Sequence, residues 1–325
     1  MSRTALVVSG GGAKGAYAVG ALNYLWEQGV NRFDIYAGTS TGALIAPLAL
    51  AGQQDALNDR YTSSRMPDFF APRSLAEVLG GRSLLQTDAF RRTLEEVVTE
   101  EVVTNVFSPT APQLIQTAVH LRSGELVYFH SGAAPAKTLW APRTYWIAYD
   151  PNGQVPLREQ LIRVMQASGS EPVIMPPVAV YPGQSRKLED FVDGGIRVNA
   201  PIAATMKCGA SLVVAILLSS PAPAVVPEED VATTPGILLQ VIDIFINSVV
   251  ARDLEDAAAL RLLNPLTELF VVRPQTPLIG VSTGPDPTAM SLMRERGYGD
   301  AREQLAPLLS NPTLRGRLVG EPPIA

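Results

Sequence analysis

The N-terminal part of the chain alternates between short apolar runs and longer segments with helical spacing. Thr4–Val8 and Phe33–Gly38 are apolar runs of strand length. Each precedes a glycine-rich turn and then a helix-like segment, and the two helices are predicted to end near Gly29 and Ala51. A strand–turn–helix unit that occurs twice in succession predicts parallel strands joined by crossover helices, which is an α/β fold.

The remainder of the chain continues this alternation of strands and helices. The segment 55–120 is more charged and has helical spacing, including a helix that begins at Thr87 or Asp88. Further strands are predicted at 125–131, 144–149, 189–193, 210–220 and 268–274, and further helices at 157–168, 237–263 and 291–309. The very apolar strand 210–220 is expected near the centre of the sheet. No repeat or low-complexity linker marks a boundary, so we expect a single domain over 1–325.

Composition and charge limit the partners that the chain would bind. Hydrophobic residues make up 46% of the 325 residues and charged residues 18%, which is ample material for a large core. The net charge of −5 and the pI near 5.2 argue against a nucleic-acid partner held by bulk electrostatics. The same balance leaves membranes open, because a zwitterionic lipid surface does not require a basic protein.

Cysteine content and hydropathy bear on the compartment. The single cysteine, Cys208, cannot form an intramolecular disulfide and is expected to be a small buried hydrophobe. Neither a signal peptide nor a membrane-spanning run is visible, so we expect a cytoplasmic protein, with peripheral membrane contact and non-classical export left open. The longest apolar run, 236–251, contains Gln240, Asp243 and Asn247, and this favours a helix packed in the core over one that faces a membrane.

The second glycine-rich turn, Gly38–Gly42 (GTSTG), has the form of a nucleophile elbow. Ser40 stands between glycines, after a strand and before a helix, which is where such turns expose a reactive hydroxyl. A serine hydroxyl is a weak nucleophile until a neighbouring base takes its proton. The chemistry of Ser40 therefore depends on which residue supplies that base.

The first glycine-rich turn, Gly10–Gly15 (GGGAKG), admits two interpretations. It matches a dinucleotide-binding pattern, and Asp34 stands near the expected acidic position, but Asp34 is placed within the next strand rather than after it. Ala16 after the last glycine excludes a Walker A loop. The favoured interpretation is an oxyanion hole formed by Gly10, Gly11 and Gly12, because loops after neighbouring parallel strands share one edge of the sheet with Ser40.

Two arrangements could supply the base. In an α/β-hydrolase order, Asp88 would be followed by His120 or His130, but the elbow here follows the second strand, and both histidines are expected to be structural or at the surface. The alternative is Asp193, which ends a short apolar strand and is followed by Gly194 and Gly195. Asp-Gly is also a common hairpin turn. An aspartate beside Ser40 could act as a general base without an imidazole.

These segments, taken together and in order, resemble the patatin-like phospholipase family. That family combines a G-G-G-x-[KR]-G loop, a G-x-S-x-G serine and a D-G-[AG] aspartate, as do Gly10–Gly15, Gly38–Gly42 and Asp193–Gly195. Ala167–Val178 is similar to the family's A-S-x-A-x-P-x-x-F-P-P-V segment, with Ser170 and Met175 as departures. The motif-bearing core spans 4–206, and 207–325 is expected to complete the sheet and the helical layers.

The resemblance implies a three-layer α/β/α fold with a mostly parallel central sheet. It implies that Ser40 is the nucleophile and Asp193 the general base of a dyad, that Gly10, Gly11 and Gly12 form the oxyanion hole, and that acyl esters of phospholipids or other glycerolipids are hydrolysed at a membrane or micelle surface. The supporting motif residues are Lys14, Gly15, Gly38, Gly42, Gly194 and Gly195. No metal and no cofactor are implied, and the oligomeric state is left open.

Some alternatives remain at this stage. An acyltransferase would use the same acyl-enzyme, and a non-catalytic nucleotide-binding module or pseudoenzyme would use the glycine loop alone. Lys14 either attracts a lipid phosphate or is solvated on the first turn of a helix, and we favour the solvated position. The basic residues between 55 and 92 are interleaved with acids and are predicted to form a solvated helical face. If a lid exists, we expect it within 55–120.

Overall fold

The computed structural model describes residues 3–63, 71–132, 144–182, 187–222, 225–278 and 287–319. The strands are β1 (Arg3–Val8), β2 (Ile35–Gly38), β3 (Ala71–Pro72), β4 (Leu85–Gln86), β5 (Gln113–His120), β6 (Leu126–His130), β7 (Thr144–Trp146), β8 (Val178–Val180), β9 (Glu189–Asp193), β10 (Ala210–Ile216) and β11 (Glu268–Val272). The helices are α1 (Gly15–Glu27), α2 (Thr41–Leu50), α3 (Gln54–Ser63), α4 (Leu75–Gly80), α5 (Asp88–Val97), α6 (Glu100–Phe107), α7 (Leu157–Ser168), α8 (Ile202–Lys207), α9 (Thr234–Leu263), α10 (Pro287–Gln304), α11 (Ala306–Leu309) and α12 (Pro312–Val319).

The main sheet is mostly parallel, as the sequence predicts. Its strands follow the order β11-β10-β1-β2-β5-β6-β7, and every pair from β11 to β5 is parallel. Strand β6 runs antiparallel to β5, and β9 pairs antiparallel with both β5 and β8. Because β1 and β2 are adjacent and parallel, the turns that follow them meet at one edge of the sheet.

Helices cover both faces of the sheet, because both sets of alternating strand residues are apolar. In β1, Leu6 and Val8 belong to a core that includes buried residues of α1, α2, α7 and α10. The alternate residues Ala5 and Val7 belong to a second core with residues of α8 and α9. A strand buried on both faces is typical of a parallel sheet between helical layers. The three-layer α/β/α architecture is therefore confirmed.

Strand β5 is a correction, because the sequence predicts helical spacing over 55–120, a segment that ends at His120. Gln113–His120 is a strand that pairs with β2, β6 and β9. Its apolar residues Leu114, Ile115, Ala118 and Val119 are buried on both faces of the sheet. A strand buried on both sides loses the strict polar–apolar alternation, and short apolar runs of this kind do not distinguish a strand from a helix.

The first half of α9 is a second correction. The sequence favoured a core-packed helix over 236–251, but Ile237, Val241, Ile244 and Phe245 are 52%, 40%, 55% and 64% exposed. The prediction failed because Gln240, Asp243 and Asn247 line a cavity instead of the outer face of the helix. In the described parts of the chain, no helix is long and apolar enough to cross a membrane.

Two smaller predictions are confirmed. Gly29 follows the end of α1 with φ +79, the left-handed conformation expected of a residue that terminates a helix. Cys208 is 8% exposed and packs in the core below β10, and burial raises the pKa of its thiol to about 12.

Helix α10 packs against α1 through close backbone approach. A Cβ atom added at Gly297 would lie 1.9 Å from the backbone oxygen of Tyr17, and one added at Gly20 would lie 1.9 Å from the backbone oxygen of Arg294. Each contact involves backbone, which cannot move aside as a side chain can. This crossing joins the C-terminal part of the chain to the first helix of the motif-bearing part.

We predict that Gly297→Ala destabilises the protein by at least about 1–3 kcal/mol, because forcing atoms into a tight contact outweighs the helix propensity that alanine gains. Gly299→Ala is the matched control, since it lies on the same helix and a Cβ there would meet nothing within 4 Å. This control should be neutral or stabilise by about 0.5–1 kcal/mol. Urea unfolding measures both, and equal effects of the two variants would contradict the packing described.

Candidate active site

Ser40 lies in a strained turn between β2 and α2. Its φ of 53° and ψ of −125° are unfavourable for a residue with a side chain, and such strain costs on the order of 1–3 kcal/mol. The turn is also tight: a Cβ at Gly38 would lie 2.1 Å from the oxygen of Gly42, and a Cβ at Gly42 would lie 2.0 Å from the oxygen of Val8. Both glycines of the motif are therefore required by close backbone contact.

The Asp193 carboxylate is directly beside the Ser40 side chain. The Ser40 hydroxyl donates a hydrogen bond to Asp193, and the Gly195 backbone N–H donates another at 2.6 Å. Asp193 is only 6% exposed. Its burial raises the pKa of the carboxyl to about 6, although both hydrogen bonds lower it. This carboxylate is therefore buried, already oriented towards a hydroxyl, and more basic than an ordinary aspartate.

The antiparallel strand β9 brings Asp193 to this edge. Asp193 lies opposite Ala118 of β5, which is next to β2 in the sheet. A Cβ at Gly194 would lie 2.1 Å from the Thr117 hydroxyl, and that hydroxyl is 2.6 Å from the hydroxyl of Thr39. Thr117 thus connects the aspartate turn to the serine turn. Thr117 cannot be identified from the sequence, since an isolated threonine in a strand carries no signal of this role.

The glycine loop passes close to Ser40. A Cβ at Gly10 would lie 3.0 Å from the Cβ of Ser40 and 2.2 Å from the Asn199 amide oxygen. The Gly10 N–H donates to the backbone oxygen of Asn199 at 3.1 Å, so this N–H is already engaged. Gly11 caps and Gly12 begins a 3₁₀ turn, a position where a helical turn has N–H groups without an acceptor of its own.

Gly15 and Gly12 of the glycine loop contact other elements. A Cβ at Gly15 would lie 2.4 Å from the Tyr61 ring, so this glycine allows α3 to pack against the start of α1. The Thr41 hydroxyl donates to the Gly12 oxygen at 2.7 Å and joins the loop to the elbow.

Asp253 of α9 fixes the segment that holds the glycine loop. Its carboxylate accepts hydrogen bonds from the backbone N–H of Asn199 at 2.8 Å and of Ala200 at 2.7 Å. Asp253 is 3% exposed, and burial raises the pKa of its carboxyl to about 6. Sequence analysis missed this residue because the run around it, ARDLED, resembles the charged outer face of a helix.

A largely apolar cavity of about 280 Å³ adjoins Ser40 and Asp193. The glycine loop, α2, α3, α5 and the first half of α9 contribute to its wall. Its apolar lining includes Leu48, Leu57, Phe90, Leu94, Met165 and Leu218. Ligand sites are typically concave and mostly apolar with a few polar groups that converge, and the cavity has this character.

Lys14 is a correction, because the sequence analysis favoured a solvated side chain. The side chain is 14% exposed and lines the cavity, with its Nζ 3.4 Å from Oδ1 of Asp243 on α9. A residue that precedes α1 would be solvated if no other element covered it, but α9 crosses this position. Glu171 also lines the cavity, and its burial, together with the nearby charge of Asp193, raises the pKa of its carboxyl to about 7.

The alternative acid–base residues lie in other environments. The His130 ring is hydrogen-bonded to the backbone oxygen of Gly132, and its burial lowers its pKa. The His120 ring is 2.7 Å from the Ser123 hydroxyl and 2.8 Å from the Glu189 carboxylate. Asp88 is exposed at the start of α5. No contact in the described structure joins these three residues to Ser40.

Asp34 also argues against the dinucleotide interpretation. It precedes β2, and its carboxylate accepts hydrogen bonds from the backbone and side chain of Thr4, at the start of β1. This is the amino end of the strands, whereas the glycine loop lies at their carboxyl end. Asp34 therefore cannot contact a ribose bound at the glycine loop.

The basic residues of 55–92 are only partly solvated. Arg60 lines the cavity and pairs with Glu96, while Arg91 pairs with Glu159 of α7. Others fit the prediction better, such as the exposed Arg92. Arg65 lies outside the described residues. Because α3 and α5 form part of the cavity wall, a lid within 55–120 stays a prediction.

Three sequence relatives share part of the chain. It is 29% identical over 217 residues to Uncharacterized protein YjjU of Escherichia coli strain K12, a match that covers 66% of this chain and 51% of that protein. It is 34% identical over 97 residues to Uncharacterized protein L620 of Acanthamoeba polyphaga mimivirus, a match that covers 27% of this chain and 26% of that protein. It is 33% identical over 106 residues to the cUMP-AMP-activated phospholipase of Escherichia coli, a match that covers 31% of this chain and 32% of that protein. The chain thus spans about half or less of the length of these relatives.

The crystal structure of VipD from Legionella pneumophila superposes with a TM-score of 0.43 at 13% identity, covering 94% of this chain and 67% of that one. A likeness this distant adds nothing to the assignment. The decisive match is to the family model described as patatin-like phospholipase, which aligns with residues 6–206. That span holds the glycine loop, the serine elbow and the aspartate turn in one continuous match. The chain belongs to the patatin-like phospholipase family.

Proposed function

We propose that this protein is a serine lipid acyl hydrolase that cleaves acyl esters of phospholipids or other glycerolipids through a Ser40–Asp193 dyad. Membership of the family indicates, at the coarser level, an ester-hydrolysing enzyme that acts on lipids. The observation that carries the finer proposal is the hydrogen bond from the Ser40 hydroxyl to the buried Asp193 carboxylate, next to an apolar cavity.

In the acylation step, Asp193 takes the proton of the Ser40 hydroxyl as the serine oxygen attacks the ester carbonyl carbon. The carbonyl oxygen becomes negative, and the backbone N–H groups of Gly11 and Gly12 stabilise it at the start of the 3₁₀ turn. Gly10 donates no hydrogen bond to this oxygen, since its N–H is bonded to Asn199. Its role is to leave space beside Ser40, because it has no side chain. Asp193 then returns the proton to the leaving alcohol oxygen, and the acyl group remains on Ser40.

In the deacylation step, water replaces the departed alcohol. Asp193 takes a proton from this water as its oxygen attacks the acyl carbon, and the same N–H groups stabilise the second oxyanion. The proton passes to the Ser40 oxygen as the acyl bond breaks, which releases a fatty acid and restores the starting enzyme. The carboxylate performs both proton transfers without an imidazole, because its raised pKa of about 6 lies close to neutral pH.

The cavity supports an apolar acyl group as the part of the substrate that is bound. Its volume of about 280 Å³ is near the lower end of the usual range for ligand sites, about 300 Å³. This fits a single acyl chain better than a whole diacyl lipid. Lys14, Glu171 and Asp243 are charged residues of the cavity lining, and they would face the polar part of the lipid.

Asp253 is proposed as a positioning residue. It does not touch the reacting atoms, but it holds the backbone of Asn199, and the backbone of Asn199 holds Gly10 beside Ser40. Because Asp253 lies on α9, the part of the chain beyond 206 contributes to the geometry of the site. This contribution supports the proposal that 1–325 forms one domain.

The dyad predicts a simple mutational pattern. Ser40→Ala and Asp193→Asn should each lower hydrolysis of p-nitrophenyl esters by at least about 10³-fold, because one removes the nucleophile and the other its base. His120→Ala and His130→Ala should retain substantial turnover if folded. A series from short to long acyl chains, with Ser40→Ala as the blank, measures this. If a folded histidine variant is as inactive as Ser40→Ala, a triad replaces the dyad.

Asp193→Asn should at the same time leave the free energy of unfolding at pH 7 unchanged or higher. A carboxyl whose pKa is raised on folding binds its proton more tightly in the folded state, so its contribution to stability falls as pH rises from about 4 to about 6. Replacing it with a neutral amide removes this loss. Denaturant unfolding of the two proteins at pH 7 makes the comparison, and a marked loss of stability in Asp193→Asn would contradict it.

The activity should depend on pH through the ionised form of Asp193. We predict that kcat/KM for a soluble ester rises about tenfold per pH unit below about pH 6 and levels off above it. Glu171→Gln is the control, because the pKa of Glu171 is also raised, to about 7. The rise in kcat/KM near pH 6 should persist in Glu171→Gln. If the rise disappears in this variant, Glu171 rather than Asp193 is the group that titrates.

Asp253→Ala should lower kcat with little change in KM, and should destabilise the protein by about 1–3 kcal/mol, since two buried N–H groups lose their acceptor. Asp253→Asn should restore most of the kcat, because the amide oxygen still accepts hydrogen bonds. Asp256→Ala, exposed on the same helix, is the matched control. A kcat that stays at the parent level in folded Asp253→Ala would refute the positioning role.

A further inference from the structure

The outer face of the first half of α9 is apolar and exposed. Ile237, Val241, Ile244 and Phe245 follow one another at helical spacing on the same side of the helix, and they are between 40% and 64% exposed. Side chains of this size are normally buried, and one or two at a surface would need no explanation. Four on a single face form a continuous apolar strip, which we term the α9 strip.

The same helix segment forms part of the cavity wall on another side. Gln240, Asp243 and Asn247 line the cavity together with Ile242 and Ile246. The charged and amide side chains of this segment therefore face the cavity beside two isoleucines, whereas four large apolar side chains face outward, where an ordinary surface helix carries polar groups. A helix is roughly 10 Å in diameter, so about this distance separates the α9 strip from the cavity.

The ion pair between Lys14 and Asp243 fixes this arrangement. Lys14 precedes α1 at the end of the glycine loop, and its Nζ is 3.4 Å from the Asp243 carboxylate. The pair is only partly exposed, with 14% of the lysine and 37% of the aspartate side chain accessible. The α9 strip is thus held in a defined position relative to the glycine loop and Ser40.

Large apolar side chains are exposed on this helix beside the cavity and again at its C-terminal end, at Leu262 and Leu263, but not between these two places. Between Val250 and Leu262 the exposed positions carry charged side chains or alanine, and the charged ones include Arg252, Glu255 and Asp256. A general lack of packing along the helix would leave its whole outer face alike. Two further exposed apolar residues are close in sequence to residues of the cavity lining: Val173 precedes Met175 by two residues, and Val225 precedes Val226.

The charged residues in and near the α9 strip indicate which kind of lipid surface it would contact. Asp243 is the only charged residue within 234–251, and it is already paired with Lys14. The residues just before the helix include the exposed acids Glu228 and Glu229. Anionic membranes attract basic segments, and no basic residue occurs in this stretch. The arrangement fits a zwitterionic lipid surface held by apolar contact.

We propose that the α9 strip is a docking surface for a zwitterionic lipid surface, such as a phosphatidylcholine bilayer. The inference rests on the proposed function for the identity of the substrate and adds where the protein meets it. Insertion of the four side chains into the interface places the cavity wall against the lipid. A single lipid molecule then reaches Ser40 along the protein surface without crossing bulk water, which lowers the cost of exposing its acyl chains.

The test measures binding of Ser40→Ala protein to phosphatidylcholine vesicles by flotation, so that hydrolysis does not alter the vesicles. Adding Ile244→Gln and Phe245→Gln to this background should lower the partition coefficient by at least about tenfold, since binding scales with the apolar area inserted. The matched control adds Leu262→Gln and Leu263→Gln, which are 83% exposed at the far end of the same helix, and it should leave binding unchanged. An unchanged thermal midpoint verifies that each variant is folded.

Several results would overturn the proposal. The first is that the Ser40→Ala parent does not bind the vesicles. The second is that the Ile244→Gln/Phe245→Gln variant binds as strongly as the parent. The third is that the Leu262→Gln/Leu263→Gln control loses as much binding as that variant. A fourth is a concentration-dependent dimer that the Ile244→Gln/Phe245→Gln variant abolishes, which would make the strip an interface between two copies. Turnover of a soluble short-chain ester by protein with Ser40 intact, measured without vesicles, tests the proposed function separately.

Discussion

The candidate site is centred on the buried Asp193 carboxylate. The carboxylate is almost wholly buried, and its charge is stabilised by hydrogen bonds from the Gly195 N–H and the Ser40 hydroxyl. An unpaired carboxylate in such a place would be costly, which explains why the hydroxyl is held close. The same burial raises the pKa to about 6 and makes the carboxylate a stronger base. The orientation of the Ser40 hydroxyl and the basicity of the Asp193 carboxylate thus both follow from the burial of Asp193.

The fold satisfies this requirement with parts of the chain that are far apart in sequence. Parallel strands β1 and β2 bring the glycine loop and Ser40 to one edge, and antiparallel β9 brings Asp193 to the same edge from the opposite direction. Helix α9 then contributes twice, through Asp253 to the backbone that holds Gly10 and through Asp243 to Lys14. The ion pair of Asp243 therefore holds the first half of this helix at the cavity, with Ile237, Val241, Ile244 and Phe245 on the outside.

The sequence was sufficient for the parts of the site that are local. A strained serine turn and a glycine loop each need small residues at fixed positions, so Gly38, Gly42 and Gly10 are visible as motifs. Contacts between distant segments leave no such pattern, and Thr117 and Asp253 were missed for that reason. Hydrophobic periodicity gave wrong predictions in two places where burial is unusual. Strand β5 is buried on both faces, and Gln240, Asp243 and Asn247 in the first half of α9 line the cavity. Lys14 was misplaced because its partner lies on that same helix.

Covalent labelling of Ser40 tests the central claim most directly. A phosphonofluoridate probe forms a bond from its phosphorus to an activated serine oxygen and releases fluoride, and peptide mass spectrometry locates the adduct. We expect the adduct on Ser40 in the parent protein, its loss in Asp193→Asn, and its retention in His120→Ala and His130→Ala. An adduct on another serine, or labelling of Ser40 that does not depend on Asp193, would contradict the proposal that this buried carboxylate activates the hydroxyl.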